Sequence, residues 1–362
     1  MAGTVVASVL TAPETFELRE FPRPSVTADT ALLRVEAAGL CGSDIEEYKG
    51  TYPYRYPVIP GHETVGVIEE IGDVAAQRWG VTTGDRVAVE FSAPCGRCRS
   101  CREGSTILCQ NISAYEWYGF RPTADAPGLW GGYAQYMYLQ PQSVLHRVSP
   151  EIPAEIAVMY NPLGAGVQWV VEDGGAGIGD TVVILGSGQR GLAGVIAAKS
   201  AGAGTIIVTD VARSRDKLEL AHAFGADHTI VADEDDVTEK VHGLTGGAMA
   251  DVVVDTAANA TQAALDAITL ARRGGTVVFA GMKPALPSFP IQDVLYKYLT
   301  LKGVCGVASG SYRKAIDIIE TGAFPLARMH THDFTLDEAD LALRTLMGAI
   351  PGQTAVHMAI RP

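Results

Sequence analysis

Four of the chain's six cysteines crowd into one short stretch, Cys95, Cys98, Cys101 and Cys109, spaced C-x2-C-x2-C-x7-C. Four thiolates brought together in this way can enclose a metal ion tetrahedrally. A closed shell of four cysteines suits structural zinc, with no position left open for chemistry. An iron–sulfur cluster is the competing occupant, but the bacterial run is C-x2-C-x2-C-x3-C-P. Here the last gap is seven residues and no proline follows Cys109. Disulfides belong to secreted chains, and the alternation of apolar and polar residues over the first 20 positions reads as strand, not as a secretory leader. The expectation is structural zinc held in a lobe of about residues 94–112.

A second constellation lies upstream, in Gly39-Leu-Cys41-Gly-Ser43-Asp44 and Gly61-His62-Glu63. Thiolate, imidazole and carboxylate are all good zinc ligands. Taken singly, Cys41 reads as a buried core thiol and His62 as a structural histidine. Their pairing with the four-cysteine loop and with a nucleotide-binding segment makes them candidates for a metal site.

That segment is Val182-Val-Ile-Leu-Gly186-Ser-Gly188-Gln189-Arg190-Gly191, a G-x-G-x-x-G directly after a buried apolar run and before an apolar helix. In this context the first glycine permits the tight turn, the second lets backbone approach a pyrophosphate, and the third lets helix and strand pack closely. The helix N-terminus then faces the phosphates. The next strand ends in Asp210. A carboxylate there can accept hydrogen bonds from both adenosine ribose hydroxyls and would repel a 2′-phosphate, which favours NAD over NADP. The alternative role for Asp210 is an N-cap for the helix that starts at Ser214. Arg213 and Arg215 follow and leave some tolerance of NADP open.

These residues need a frame. Residues 1–160 read mostly as β, with strand-like stretches at Ala31–Val35, Thr64–Ile71 and Arg86–Val89 broken by Gly, Pro and Asp turns, and no sustained helical period. From residue 180 the pattern changes. Apolar, β-branched runs begin near Thr181, Thr205, His228, Asp251, Gly275 and Leu299, roughly every 23–24 residues, with helix-period segments such as Ser214–Phe224 and Thr261–Ala271 between them. Strands alternating with helices at that spacing imply βαβ units in a parallel sheet. Six strands make two mononucleotide-binding halves. After residue 303 the pattern turns irregular, consistent with a short return to the first domain.

The bulk numbers bound the function. A chain of 362 residues has room for about two domains. No run of about 18 apolar residues appears, so no membrane span is expected. A formal charge of −13 disfavours nucleic acid, whose binding needs basic surface, and promotes solubility. The cytoplasm is the expected compartment.

With GLCGSD, PGHETVG, the four-cysteine lobe, GGYAQY, NPLGAGVQ and GSGQRG on the page, the whole chain resembles the zinc-dependent medium-chain dehydrogenase/reductase family. The wording C-G-S-D is closer to its polyol and threonine dehydrogenase branch than to the classical alcohol dehydrogenases. The resemblance implies a β-rich, GroES-like catalytic domain over residues 1–165, a Rossmann domain over 166–300 and a return to the catalytic domain over 301–362, with the active site in the cleft between domains. It implies that Cys41 and His62 bind catalytic zinc, that Glu63 is a ligand or exchange partner, that Ser43 starts a proton relay, and that Asp44 orients His62. Two departures stand out. Asn161 replaces the family's usual Cys, Glu or Asp and is a poor zinc ligand. Glu46 stands where a relay histidine is common.

The function expected from residues and resemblance together is a zinc-containing, NAD-dependent dehydrogenase. It would interconvert a secondary alcohol and its ketone and act on a small molecule as a homodimer or homotetramer. The rivals are a zinc-independent reductase of the same fold, acting on an activated alkene or carbonyl, and a non-catalytic dinucleotide-binding redox sensor.

Among the remaining residues, Cys305 reads as a small residue near the nicotinamide. Tyr52, Tyr54 and Tyr56, with Tyr115, Trp117 and Tyr118, could line a substrate pocket or simply pack in loops. His330 and His332 read as structural or exposed, and Asp233–Asp236 as a solvated turn and helix start.

Overall fold

In the computed structural model the described residues are 3–51, 55–113, 116–283, 285–286 and 288–362. They form two compact units, residues 1–160 with 330–362, and residues 161–329. The first unit begins with the antiparallel hairpin β1 (Thr4–Ala12) and β2 (Thr15–Pro22). There follow β3 (Ala31–Gly39), β4 (Glu63–Ile71), β5 (Arg86–Val89), β6 (Tyr136–Leu139) and β7 (Leu145–Arg147). The strand β3 is apolar at nearly every position because both its faces are covered. Leu33 and Val35 pack with Ile68, Val87 and Met137 in one cluster. Beyond them Ala38 and Leu40 join Val9, Ile59 and Tyr133 in another.

The second unit is a parallel sheet. Its strands are β8 (Thr181–Leu185), β9 (Thr205–Asp210), β10 (His228–Val231), β11 (Ala250–Asp255), β12 (Ala271–Phe279) and β13 (Thr300–Gly303), in the spatial order β10-β9-β8-β11-β12-β13. This is the doubly wound order that reverses beside the first strand, as two βαβαβ halves require. Valine and isoleucine runs bury the inner strands β8, β9 and β11. Val182, Val183 and Ile184 are fully buried, as are Ile206, Ile207 and Val208.

The chain then returns to the first unit as β14 (His330–Phe334) and β15 (His357–Ile360). The mixed sheet runs β14-β15-β3-β4-β5-β7, with β6 also paired to β3. Ala359 lies opposite Gly39, and Leu40 N–H donates to the Met358 carbonyl at 3.1 Å.

Three readings of the sequence need correction. The second unit starts at Asn161 and extends to Met329, where the sequence placed its limits at 166 and 300. The reason is a helix, Ser309–Thr321, in the stretch that read as irregular. Its Tyr312 is fully buried, its Ser311 hydroxyl donates to Gln168 at 2.8 Å, and Trp169 Nε1 donates to Gly306 O at 3.2 Å. Short helices also interrupt the β region at Gly42–Lys49 and Asp73–Trp79. Each is about two turns long, too short for a period to show.

Candidate active site

Antiparallel pairing of β3 and β4 sets Gly39 opposite Glu63. Cys41 follows the end of β3 and His62 precedes the start of β4, so one register brings both candidate ligands to the same end of the sheet. Glycine is required on both sides. A Cβ on Gly39 would come 2.7 Å from Glu63 Oε2, and one on Gly61, whose φ is +91°, would come 2.5 Å from the Tyr133 ring. The ligand atoms of Cys41, His62 and Glu63 lie within 4.8 Å of one another, and all three residues are buried.

Asp44 organises this cluster from the first turn of Gly42–Lys49. Its Oδ2 accepts from Cys41 N–H at 2.8 Å, closing the helix start, and from Tyr133 Oη at 3.5 Å. Its Oδ1 lies 3.1 Å from His62 Nδ1. That contact suits an imidazole with Nδ1–H toward Asp44, the tautomer whose Nε2 offers a lone pair to a metal. Burial alone would lower the His62 pKa, but the Asp44 carboxylate and the Cys41 sulfur outweigh it and hold the group well above its ordinary value. Ser43 Oγ is 3.4 Å from His62 Nε2. Phe91 and Phe120, with ring centroids 6.3 and 5.1 Å from His62, wall the site together with Trp117, which packs edge-on against both rings. Neither phenylalanine stands out in the sequence, since an isolated aromatic has no spacing to mark it.

Thiolate, imidazole and carboxylate at this separation fit zinc, and the donor set alone neutralises its charge. Asn161, from the second unit, is 2% exposed and donates through Nδ2 to Tyr312 Oη at 3.2 Å. Arg190 Nη1 donates to its carbonyl at 3.1 Å. The Glu46 carboxylate accepts from the Thr51 hydroxyl next to the helix end.

Cys95, Cys98, Cys101 and Cys109 form a second cluster, their sulfurs within 4.8 Å of one another. Asn111 Nδ2 donates to Cys95 Sγ at 3.3 Å, and backbone N–H groups of Cys98 and Cys95 reach Cys95 and Cys109 sulfurs at 3.4 Å. Such donors hold the Cys95 and Cys98 thiols below their ordinary pKa, the amides of Arg97 and Cys101 leading. The arrangement fits a structural zinc site.

In the second unit, Gly186 has φ +98°, and a Cβ on Gly191 would sit 1.9 Å from Gly186 O. Both glycines are dictated by the fold. Gly188 is different: its φ is −65°, and a Cβ there would meet nothing within 4 Å. Neither backbone nor packing demands a glycine at 188, and the open space before the Gln189–Ala201 helix fits a pyrophosphate. Asp210 closes β9. Its Oδ2 accepts from Ser187 N–H at 2.7 Å and Ser187 Oγ at 2.6 Å, and its Oδ1 accepts from Val211 N–H at 2.8 Å. It does not cap the following helix, whose N-cap is Ser214. The Arg215 guanidinium pairs with Glu234. Lys217, unmarked by any motif, lies in the field of Asp210; burial lowers its pKa, the carboxylate opposes that, and Arg213 adds to the lowering.

Of the remaining candidates, Tyr52, Tyr54 and Tyr115 lie outside the described residues. Tyr118 is a core residue whose Oη lies 2.6 Å from Ser143 Oγ, and Tyr56 donates to the Glu47 carbonyl. Cys305 is exposed. His330 contacts His357 and Asp333, and His332 meets Gln353. Asp236 caps Val237–Leu244 through Glu239 N–H at 2.9 Å.

The alcohol dehydrogenase GroES-like domain matches residues 27–150 and the zinc-binding dehydrogenase domain residues 191–321. Across 99% of both chains this protein is 43% identical to a Mycobacterium tuberculosis protein named probable alcohol dehydrogenase. It is 34% identical to an erythritol/L-threitol dehydrogenase of Mycolicibacterium smegmatis, over 98% of this chain and 97% of that one. It is 32% identical to the sorbitol dehydrogenase of Bacillus subtilis, over 93% and 92%. Among solved structures, the alcohol dehydrogenase of Thermotoga maritima superposes with a TM-score of 0.89 at 27% identity, covering 99% of this chain and 100% of that one. A protein from Sinorhizobium meliloti 1021, described as a zinc-binding dehydrogenase and solved with NADP, gives 0.87 at 28% identity over 99% and 100%. The fold and the relatives are those of an oxidoreductase. The chain belongs to the zinc-dependent medium-chain alcohol dehydrogenase family, with a GroES-like first unit and a Rossmann second unit. Among the described residues no helix is long and apolar enough to cross a membrane.

Proposed function

We propose that this protein is a zinc-containing, NAD-dependent dehydrogenase that interconverts a secondary alcohol, of polyol, cyclic or hydroxy type, and its ketone. The observation that carries the reading is the buried convergence of Cys41, His62 and Glu63 with Asp44 on His62 Nδ1. The erythritol/L-threitol and sorbitol dehydrogenases among the relatives support a polyol-type substrate.

In the oxidative direction the alcohol carbon gives up a hydride and its oxygen a proton. Zinc, when bound, supplies the Lewis acidity that makes the alcohol oxygen acidic, and NAD supplies the hydride acceptor. Cys41, His62 and Glu63 hold the metal, and Asp44 keeps His62 in the tautomer that can ligate. The Ser43 hydroxyl takes the substrate proton while passing its own outward to solvent water, a general acid–base role. Phe91, Trp117 and Phe120 exclude water beside His62. Asn161, whose amide is committed to Tyr312, positions its own helix and supplies no anion, which leaves Cys41 and Glu63 as the two anionic ligands. Asp210 selects NAD by accepting a ribose hydroxyl and repelling a 2′-phosphate. A homo-oligomer is supported by the apolar surface of the 289–298 segment, where Leu295, Tyr296 and Tyr298 are 65%, 72% and 71% exposed just before the edge strand β13.

The test is metal analysis by mass spectrometry alongside an NAD-linked panel of secondary alcohols and polyols. The expected result is one zinc for each of the two clusters and polyol turnover that chelation abolishes. Turnover undiminished after removal of all but the four-cysteine zinc would assign the chain to the zinc-independent reductases instead.

A further inference from the structure

The carboxylate of Asp210 is not a free acceptor waiting for a ribose. An ionised carboxylate offers about four lone-pair positions, and Ser187 N–H, Ser187 Oγ–H and Val211 N–H already fill three of them. Two of these donors come from the residue between the first two glycines of the phosphate loop. Ser187 is fully buried, so its hydroxyl cannot be satisfied by water and is committed to Asp210. Val211 N–H is supplied by any sequence, and so is the Ser187 amide. The hydroxyl is the one donor that this chain's choice of side chain adds.

We propose that Ser187 sets the cofactor preference of this protein by holding Asp210 in position. Resting on the proposed role of Asp210, the inference adds the residue that makes that role effective. Charge-assisted donation from the hydroxyl keeps Oδ2 fixed against the loop and leaves on Oδ1 the single position open to a ribose hydroxyl. It also bars the rotation by which the carboxylate could swing away from a 2′-phosphate. Discrimination against NADP is therefore built from two residues: Asp210 carries the repulsive charge, and Ser187 prevents it from moving aside. The shared hydroxyl also couples the phosphate loop to the end of β9, so that pyrophosphate and ribose are read by one hydrogen-bonded unit. Ser187 is a positioning residue in this scheme.

The experiment is a double-mutant cycle on the full-length protein, comparing wild type, Ser187→Ala, Asp210→Ala and the double variant. It reads equilibrium binding of NAD and of NADP by calorimetry and the melting temperature without cofactor. Ser187→Ala should weaken NAD by about tenfold, the order lost with a hydrogen bond to a charged group, and leave NADP unchanged or tighter. In the Asp210→Ala background the same substitution should shift neither ratio, because nothing remains to be positioned. Ser187→Thr, which keeps the hydroxyl, should restore the wild-type ratio if it matches the wild-type melting temperature. Equal loss of NAD and NADP binding on Ser187→Ala, or a shift in the ratio that persists without Asp210, would overturn the inference and leave a purely structural serine. If Asp210→Ala itself leaves the NAD to NADP ratio unchanged, the role of Asp210 fails instead, and that single variant distinguishes the two failures.

Discussion

Gly39 and Glu63 face each other across the antiparallel register of β3 and β4, with no room for a methyl group between Gly39 Cα and the Glu63 carboxylate. Gly39→Ala would place its Cβ 2.7 Å from Glu63 Oε2 and force that carboxylate away from Cys41 and His62. We expect overpacking of about 1–3 kcal/mol and selective loss of zinc from this cluster, with the four-cysteine zinc retained. Zinc stoichiometry by mass spectrometry decides it. Full metal content in a stably folded alanine variant would remove Glu63 from the ligand set.

Cys98→Ser removes one wall of the four-thiolate shell. A structural metal contributes its binding energy to folding, so this variant should lose its tightly held zinc and melt at a lower temperature. Unchanged zinc content and melting temperature would refute the structural site.

Gly188→Ala separates ligand space from folding. The added methyl meets nothing within 4 Å, so the melting temperature without cofactor should stay at the wild-type value. NAD affinity should nonetheless fall by about tenfold or more, since backbone approach to the pyrophosphate is blocked. Equal NAD affinity in the variant would mean that this space is not the phosphate site.

Ser43→Ala should slow turnover by about 10²–10⁴-fold, the range for a positioned acid–base group, while equilibrium NAD binding stays at its wild-type value. The hydroxyl lies 3.4 Å from His62 Nε2. Turnover within twofold of wild type, as a rough threshold, would take Ser43 out of the proton path.

Glu47 gives a pH-dependent stability. It is 1% exposed, neither carboxylate oxygen has a hydrogen-bond partner among the described residues, and burial, then Asp44, pushes its pKa well above the ordinary value, with His62 opposing. A raised folded-state pKa gives stability that is complete below the unfolded pKa, about 4.3, and is lost as pH rises toward the folded value. Glu47→Gln should therefore melt higher than wild type at neutral pH, with the difference closing near pH 4, about the unfolded carboxyl pKa. A lower melting temperature for the glutamine variant at neutral pH would show instead that the carboxylate is ionised and stabilised in the fold.

Much of this was legible in the chain itself. The inner parallel strands β8, β9 and β11 announced themselves because they are buried and so write near-continuous valine and isoleucine runs. The four-cysteine cluster and the glycine loop were legible for a different reason, because their chemistry depends on spacing along the chain. The helix Ser309–Thr321 was missed: its opening Ser-Gly-Ser reads as a turn, although Tyr312, Ala315, Ile316 and Ile319 keep the helical period and are buried. Nor could spacing reveal that Ser187 already holds one oxygen of Asp210, or that Phe91 and Phe120 stand beside His62. Those relations join residues far apart in the chain and exist only once the strands pair.

Because Gly39 pairs with Ala359, and Leu40 N–H with the Met358 carbonyl, the strand that delivers Cys41 is completed by one made only after the whole second unit. Loops of that length make closure slow. The Rossmann unit, continuous from Asn161 to Met329, needs no such wait. On the ribosome the Rossmann unit can be finished while the GroES-like unit is still an open sheet with its thiols accessible. Order of closure thus runs against order of sequence, and the unit whose strands are made first is completed after the one that follows it.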